Sequence, residues 1–256
     1  MLGALADLVL PRTCAGCGLP GAVLCRQCRA LLAHPHPAAP RRFPDGFPPA
    51  AAAGAYAGPV RSALIAFKER GRAELAQPLG TALALAVAAV VAAVPGPRRP
   101  VLLVPVPSTP AAVRTRGRDH VRELTSAAVT ELRVAGVDAG EARLLRRRGR
   151  IRDSADLSVA QRRANLAGSF LVDLRGAAVA GRQLVVVDDV VTSGATLTEA
   201  AAALERAAPG GPVVVAAVVA ATPKRSSGRS PARTLRHAWE VVPRPPDRLS
   251  GRDARD

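Results

Sequence analysis

The sequence predicts an α/β protein with a doubly wound, mostly parallel sheet and a small cysteine-rich module before it. Its 256 residues are 48% hydrophobic, which is enough for one domain of ordinary size and an appendage. Valine-rich stretches at 183–189 and 211–221 lack the polar alternation of half-exposed strands, so helices are expected on both faces of the sheet. All four cysteines fall between Cys14 and Cys28.

The cysteines form two Cys-x2-Cys pairs separated by seven residues: Cys14, Cys17, Cys25 and Cys28. Two such turns can direct four thiolates at one point, the tetrahedral arrangement that suits structural zinc. Two disulfides would require an oxidising compartment, and a redox dithiol would need only one pair. We therefore interpret residues 1–32 as a zinc-ribbon-like module. His34 and His36 lie near enough to replace a cysteine ligand, but in "AHPHPAAP" they are interpreted as part of an exposed linker.

A proline- and alanine-rich segment at 33–59 has no sustained period and is interpreted as a linker. A helix is then predicted from Val60 to about Glu69. A longer apolar helix follows, which Pro78 either interrupts or starts anew.

Strand-like and helix-like stretches alternate from residue 101 to residue 221. The predicted strands are 101–107, 141–145, 169–172, 183–189 and 211–221, and the predicted helices are 111–135, 158–166 and 196–207. Ligands of such sheets bind beyond the carboxyl ends of the strands. We therefore expect a site at the ends of the strands that contain Leu103 and Val187.

The stretch "VVVDDVVTSGAT" at 185–196 carries a valine strand into Asp188 and Asp189. Small residues follow before the next predicted helix: Thr192, Ser193, Gly194, Ala195 and Thr196. A helix N-terminus offers unpaired N–H groups to an anion, and glycine lets the backbone approach a phosphate closely. Because two carboxylates would repel a bare phosphate, the pattern favours a ligand that also presents hydroxyls or a divalent cation, such as a sugar phosphate.

Competing motifs account for less of this stretch. The sequence has no P-loop motif and no dinucleotide-binding G-x-G-x-x-G. Thr196 and Glu199 have the spacing of a capping box. That motif would explain Thr196 but neither the two acids nor the five small residues.

The formal net charge is +16, which is compatible with a nucleic-acid partner. All basic residues except Lys68 and Lys224 are arginines, however, so a coding bias explains the charge equally simply and is favoured.

The apolar run 83–94 is shorter than the ~18 to 20 residues that cross a bilayer, so a buried helix is expected rather than a membrane span. With no basic region of an export signal at the N-terminus, the expected location is cytoplasmic.

The stretch "LVVVDDVVTSGAT" closely resembles the signature with which type I phosphoribosyltransferases bind 5-phosphoribosyl 1-diphosphate (PRPP). Together with the four-cysteine module, "FKERG", "VPVPSTPAAVRTRGRDHV" and "LSVAQRRANLAGSF", it is similar to the competence protein F (ComF) family. The resemblance implies a type I phosphoribosyltransferase-like fold over 60–222. A basic tail expected to be disordered follows at 223–256.

The resemblance also implies site residues. Asp188 and Asp189 would hold the ribose hydroxyls of PRPP, the loop 192–196 its 5-phosphate, and Mg²⁺ would accompany the ligand. Candidates for the pyrophosphate loop are Ser108, Thr109, Arg114 and Arg116. Candidates for a mobile loop and for leaving-group cations are Lys68, Arg146, Arg147, Arg148, Arg150, Arg162, Arg163 and Asn165. The alternative for the arginines is a solvated helix face. The family's Phe-Asn-Gln is replaced by Arg118, Asp119 and His120, so no role is carried over to these three.

Three functions follow from the resemblance. The first is an active phosphoribosyltransferase, a pentosyl-transferring glycosyltransferase with an unidentified acceptor. The second is a PRPP-binding protein of DNA uptake that touches single-stranded DNA or DNA-processing proteins, and the third is a PRPP-responsive protein without catalysis. An aromatic content of 2% disfavours the second, because single-strand binders stack bases on aromatic rings.

Overall fold

The structure, a computed structural model, describes residues 12–38, 40, 45–148, 168–175, 179–211 and 213–223. Its main sheet contains β1 (His36–Pro37), β2 (Ala50–Ala55), β3 (Val101–Pro105), β4 (Ala139–Glu141), β7 (Gln183–Val191) and β8 (Val215–Ala221). The strand order is β1-β2-β8-β7-β3-β4, and every neighbouring pair except β1 with β2 is parallel. Two further strands, β5 (Leu145–Arg147) and β6 (Phe170–Val172), form a separate antiparallel pair.

Helices lie on both faces of the main sheet. They are α1 (Arg26–Ala30), α2 (Gly58–Glu69), α3 (Ala76–Ala92), α4 (Pro110–Arg116), α5 (His120–Val134) and α6 (Ala195–Ala207), with a 3₁₀ turn at Ala73–Leu75 before α3. Successive strand residues point to opposite faces, so Val185 and Val187 of β7 share a core with α2, α3 and α5, whereas Val186 packs with α6. The predicted α/β fold with a mostly parallel sheet is confirmed.

The longest helix, α3, is a core helix. Leu79, Leu83 and Val87 are fully buried, and a Cβ on Gly80 would overlap the Cβ of Ala127 on α5, so the two helices pack closely. By length and composition alone the segment Ala73–Ala92 could cross a membrane, but 56% of its most apolar window is buried inside this fold. Its packing therefore explains its apolar character.

The prediction that 33–59 is a linker is wrong for residues 50–55, which form β2. Ala51, Ala52 and Ala53 are fully buried, and β2 pairs with β8 along its whole length. A strand buried on both faces shows no polar alternation, and alanine is depleted in strands, so this stretch carries no strand signal.

The cysteine-rich segment packs directly on the sheet. Leu24 and Leu32 belong to the same core as α2 and α3. A Cβ on Gly54 of β2 would lie 2.6 Å from the carbonyl oxygen of Leu31, so the backbones of the two segments touch. The domain boundaries stay predictions, but the first segment and the sheet share one core.

Two predicted elements differ in extent. The helix expected at 111–135 is divided, because Gly117 adopts a left-handed φ of 68° that ends α4 and Asp119 caps the start of α5. The strand expected at 141–145 is replaced by β4 and β5 on either side of residues 142–144. The helix predicted at 158–166 and the tail from 224 onwards lie outside the described residues.

Candidate functional site

A cavity of about 440 Å³ lies beyond the carboxyl ends of β3 and β7. Its volume is within the range of roughly 300–1,000 Å³ that small-molecule sites occupy. β3 connects to β4 on one side and β7 to β8 on the other, with the connecting helices on opposite faces, so the cavity lies at the topological switch point of the sheet. β3 ends at Pro105, opposite Val187, and this leaves Asp188 and Asp189 facing the opening.

Asp189 lies on the α2 and α5 face of β7, where it is 5% exposed. Its Oδ2 lies 2.8 Å from Lys68 Nζ and 3.2 Å from His120 Nε2. Burial alone would raise the pKa of Asp189, but the hydrogen bond to His120 and the charge of Lys68 outweigh it and hold the pKa below its usual range. The pKa of Lys68 is raised in spite of burial, because of the charge of Asp189. The pair is therefore ionic at neutral pH.

Asp188 points to the opposite face of β7 and is partly exposed. Burial and the neighbouring charge of Asp189 raise its pKa well above the ordinary value. Arg147 approaches from this face: its Nε donates to the Pro107 carbonyl oxygen at 2.9 Å, and its guanidinium lies 5.3 Å from the Phe170 ring. The two adjacent acids thus sit in different electrostatic surroundings, one paired and one open to a ligand.

The small loop after β7 leads into α6, whose N-terminus has no side-chain cap. α6 begins at Ala195 after Gly194, and no side chain of the described residues caps its first turn. The capping box of Thr196 with Glu199 is not formed, because the N-cap residue is Gly194 and Thr196 lies inside the first turn. Glu199 accepts from the Gly168 N–H at 2.7 Å. Thr192 and Thr196 line the cavity, whereas Ser193 is exposed beside it and Ala195 is partly buried. The free N–H groups of this turn can receive an anion.

Substitution of Gly194 by alanine should destabilise the protein and weaken anion binding. Gly194 has a φ of 79°, and a Cβ there would lie 2.9 Å from the Phe47 ring and 3.0 Å from Pro40 Cβ. The left-handed backbone costs about 1–2 kcal/mol for alanine, and the clash adds about 1–3 kcal/mol. Denaturant unfolding measures the sum.

Gly181 offers a matched control, because its φ is 72° and no atom of the described residues lies within 4 Å of its added Cβ. Gly181→Ala should lose only the backbone contribution. Equal losses in free energy of unfolding for the two variants would contradict the close packing of Phe47 on this loop.

The loop after β3 is held by its own hydroxyls. Ser108 Oγ donates to Asp119 Oδ1 at 3.0 Å, and Thr109 Oγ1 accepts from the Ala112 N–H at 3.1 Å. Both residues line the cavity. The loop predicted to bind pyrophosphate is therefore held by two hydrogen bonds and opens onto the same cavity as the two acids.

The predicted cations divide into two groups. Lys68, Arg116 and Arg147 line the cavity, and Arg116 is paired there with Glu69 at 3.0 Å. The remaining described candidates point elsewhere or into solvent: Arg114, Arg146 and Arg148. Arg150, Arg162, Arg163 and Asn165 lie outside the described residues. Sequence alone could not choose within the arginine run, and the structure brings only Arg147 of its described members to the cavity.

His120 is the main cavity residue that sequence reasoning missed. In the sequence it stands only as a departure from a family pattern, yet it is 3% exposed and contacts Asp189. Arg118, from the same departure, makes a bidentate ion pair with Glu123 and lies 4.3 Å over the Phe67 ring. The sequence does not indicate this role for His120, because its partner Asp189 lies far away along the chain.

The four cysteine Sγ atoms lie within 4.8 Å of one another, and all four cysteines are free. Cys17 Sγ and Cys25 Sγ are 3.7 Å apart, far beyond a disulfide bond. Four sulfurs around a tetrahedral zinc with Zn–S bonds of about 2.3 Å would be separated by about 3.8 Å. The arrangement therefore fits a metal ion.

The surroundings of the cluster favour the thiolate form of Cys14 but not that of Cys28. Burial would raise the pKa of Cys14, but backbone N–H groups, that of Cys25 among them, lower it to about 6. Burial raises the pKa of Cys28. A Cβ on Gly16 would lie 2.8 Å from Cys28 Sγ, which explains the glycine in this turn. The predicted four-cysteine cluster is confirmed.

A family model described as the phosphoribosyl transferase domain matches residues 150–243. This range contains β7, both acids and the loop 192–196, whereas Lys68, His120 and the cysteine cluster precede it. No curated protein sequence matches the chain. The molecule is therefore an α/β protein with a mostly parallel sheet and an N-terminal four-cysteine cluster, and its residues 150–243 are similar to the phosphoribosyl transferase domain.

Proposed function

We propose that this chain is a ComF-family phosphoribosyltransferase that binds PRPP with Mg²⁺ and transfers its phosphoribosyl group to an acceptor. The observation that carries the proposal is the meeting, in one cavity, of Asp188 and Asp189 with the uncapped N-terminus of α6. The similarity of this stretch to the phosphoribosyl transferase domain supports it.

Each end of the cavity suits a different part of PRPP. Asp188 and Asp189 are acceptors for the two ribose hydroxyls. The N–H groups of α6 and the hydroxyls of the loop 192–196 donate to the 5-phosphate. Ser108, Thr109 and the three cavity cations then face the diphosphate. This division gives every charged group of the ligand a partner of opposite charge or a hydrogen-bond donor.

The chemical step breaks the bond between ribose C1 and the diphosphate oxygen, and both bonding electrons leave with pyrophosphate. A nucleophilic atom of the acceptor supplies the electron pair of the new bond to C1. Positive charge develops on the ribose, and negative charge develops on the leaving group. Lys68, Arg116 and Arg147 line the cavity and would stabilise the leaving group electrostatically. Asp188, a partly exposed carboxylate, fits the hard oxygen ligand that Mg²⁺ prefers, and the ion would neutralise further charge on the diphosphate.

We propose that the cysteine cluster binds zinc. Four thiolates fill a tetrahedral coordination shell and leave no position for a substrate, so its role would be structural.

The second candidate is a non-catalytic PRPP-responsive protein of competence that binds single-stranded DNA or a protein partner. It is favoured by a separate groove of about 730 Å³ beside β4. The groove is lined by five arginines and two acids: Arg133, Arg143, Arg146, Arg175, Arg182, Glu141 and Asp173. Its excess positive charge suits a phosphate backbone, and such binding would weaken steeply with salt.

Release of pyrophosphate separates these candidates. The protein is incubated with Mg-PRPP and fractions of cytosolic metabolites or oligonucleotides, and both pyrophosphate and a ribosylated product are measured. Acceptor-dependent pyrophosphate is expected from the wild-type protein and not from a variant with Asp188→Asn and Asp189→Asn. Binding of PRPP without pyrophosphate from any fraction would contradict transfer and favour the second candidate.

A further inference from the structure

Both carboxylate oxygens of Asp189 are already engaged in the ligand-free protein. Oδ2 contacts Lys68 Nζ at 2.8 Å and His120 Nε2 at 3.2 Å, and Oδ1 accepts from the Val190 N–H at 2.8 Å. A ribose hydroxyl that donates to this nearly buried carboxylate needs an open acceptor position. A carboxylate has about four acceptor positions, and three of those on Asp189 are filled, so an entering hydroxyl competes with the present partners for this buried group.

Lys68 is the partner that can move. It lies in the last turn of α2, its side chain is 34% exposed, and it lines the cavity. Its ammonium group sits on a flexible four-carbon stem. His120, by contrast, is 4% exposed in its side chain and packs edge-on against the Phe67 ring, with ring centroids 6.4 Å apart.

The surroundings of Nδ1 indicate which nitrogen of His120 faces Asp189 with a proton. Nδ1 is buried and has no hydrogen-bond partner among the described residues. A proton on Nδ1 would leave an unsatisfied buried donor, which costs about 1–3 kcal/mol. The favoured tautomer therefore carries its proton on Nε2 and donates it to Asp189. This hydrogen bond orients the carboxylate.

The cavity offers Lys68 a second anionic partner once a diphosphate is present. Lys68 shares the cavity with Ser108, Thr109, Arg116 and Arg147, the residues proposed to face the diphosphate. If Lys68 moved from Asp189 to the diphosphate, its ammonium group would still have an anionic partner. The move would also open one acceptor position on Asp189.

We propose that PRPP binding exchanges the partner of Asp189: Lys68 leaves it for the diphosphate, and His120 remains as the positioning residue. This inference rests on the proposed function and adds a step to it. The exchange couples the two halves of the ligand. A diphosphate removes the lysine from Asp189, and the freed carboxylate then accepts the ribose hydroxyl.

Calorimetric titration of Lys68→Met with three probes tests the exchange: Mg-PRPP, Mg-pyrophosphate and ribose 5-phosphate. Loss of a charge-assisted hydrogen bond should weaken Mg-pyrophosphate and Mg-PRPP binding by about tenfold or more. Ribose 5-phosphate should bind as well as to wild type or better, since Asp189 no longer has a lysine to release. Lys68→Arg, which keeps the charge, should retain most of the pyrophosphate affinity.

Two outcomes count against the exchange in different ways. Unchanged Mg-pyrophosphate affinity in Lys68→Met, or equal weakening of all three probes, overturns the exchange but leaves the proposed function in place. A folded wild-type protein that binds none of the three probes overturns the proposed function and the exchange together.

The positioning role of His120 has its own test. His120→Ala should weaken ribose 5-phosphate binding, because Asp189 loses the donor that orients it. His120→Gln, whose amide N–H can donate to Asp189, should restore most of the affinity. Equal losses in the two variants, with circular dichroism showing both folded, would overturn the positioning role.

Discussion

Replacing Asp188 and Asp189 together by asparagine should abolish measurable binding of Mg-PRPP while the protein stays folded. Each carboxylate would lose its charge and its capacity to accept strong hydrogen bonds from ribose hydroxyls. A charge-assisted hydrogen bond contributes about 1.5–3 kcal/mol, so losing two should weaken binding by more than about a hundredfold. Isothermal titration calorimetry measures this directly.

The fold should survive this change because each asparagine keeps one acceptor oxygen. That oxygen can still accept from the Nε2–H of His120, and Lys68 is exposed enough to reach solvent. Asp173→Asn is the matched control, since Asp173 is an ion-paired acid outside the cavity. Unchanged binding in the double variant would remove the assignment of the ligand site to β7.

The second large effect is expected at the cysteine cluster. Protein purified under reducing conditions should contain one zinc per chain, and Cys14→Ser with Cys17→Ser should lose it. Metal binding is coupled to folding in small cysteine sites, so the variant should also lose several kcal/mol of stability. Metal analysis and thermal unfolding, with and without a chelator, measure the two effects.

The destabilisation should extend beyond the cluster itself, because Leu24 and Leu32 belong to the core beneath β2. Leu19→Ala is a suitable control: Leu19 lies in the same turn region but is exposed and supplies no thiolate. Absence of zinc from reduced wild-type protein would refute the metal assignment. Loss of zinc without any change in melting temperature would show that the cluster does not support the sheet.

The sequence predicted those features whose residues are adjacent in the chain. The valine strand, the two acids and the small loop are consecutive, so their chemistry is legible without a structure, and the four cysteines lie within a short segment. The contacts of Asp189 with Lys68 and His120 join residues 121 and 69 positions apart. Only the topology of the sheet brings them together.

The missed elements have local physical causes. β2 consists almost entirely of alanine, whose small side chain suits a strand buried on both faces but gives no strand pattern. The break between α4 and α5 depends on the left-handed backbone of Gly117, and a single glycine within a helical pattern does not fix such a break.

The pairing of β2 with β8 sets an order for assembly on the ribosome. β2 is made early, but its parallel partner is among the last described residues to be synthesised. Contacts between such distant segments form slowly, and unpaired strand edges are prone to aggregation while they wait. The cysteine cluster needs only residues 14–28, so we expect metal binding to compact the N-terminal segment long before the sheet can receive it. Without zinc, this N-terminal segment would stay extended and exposed until β8 had been made and the sheet could form.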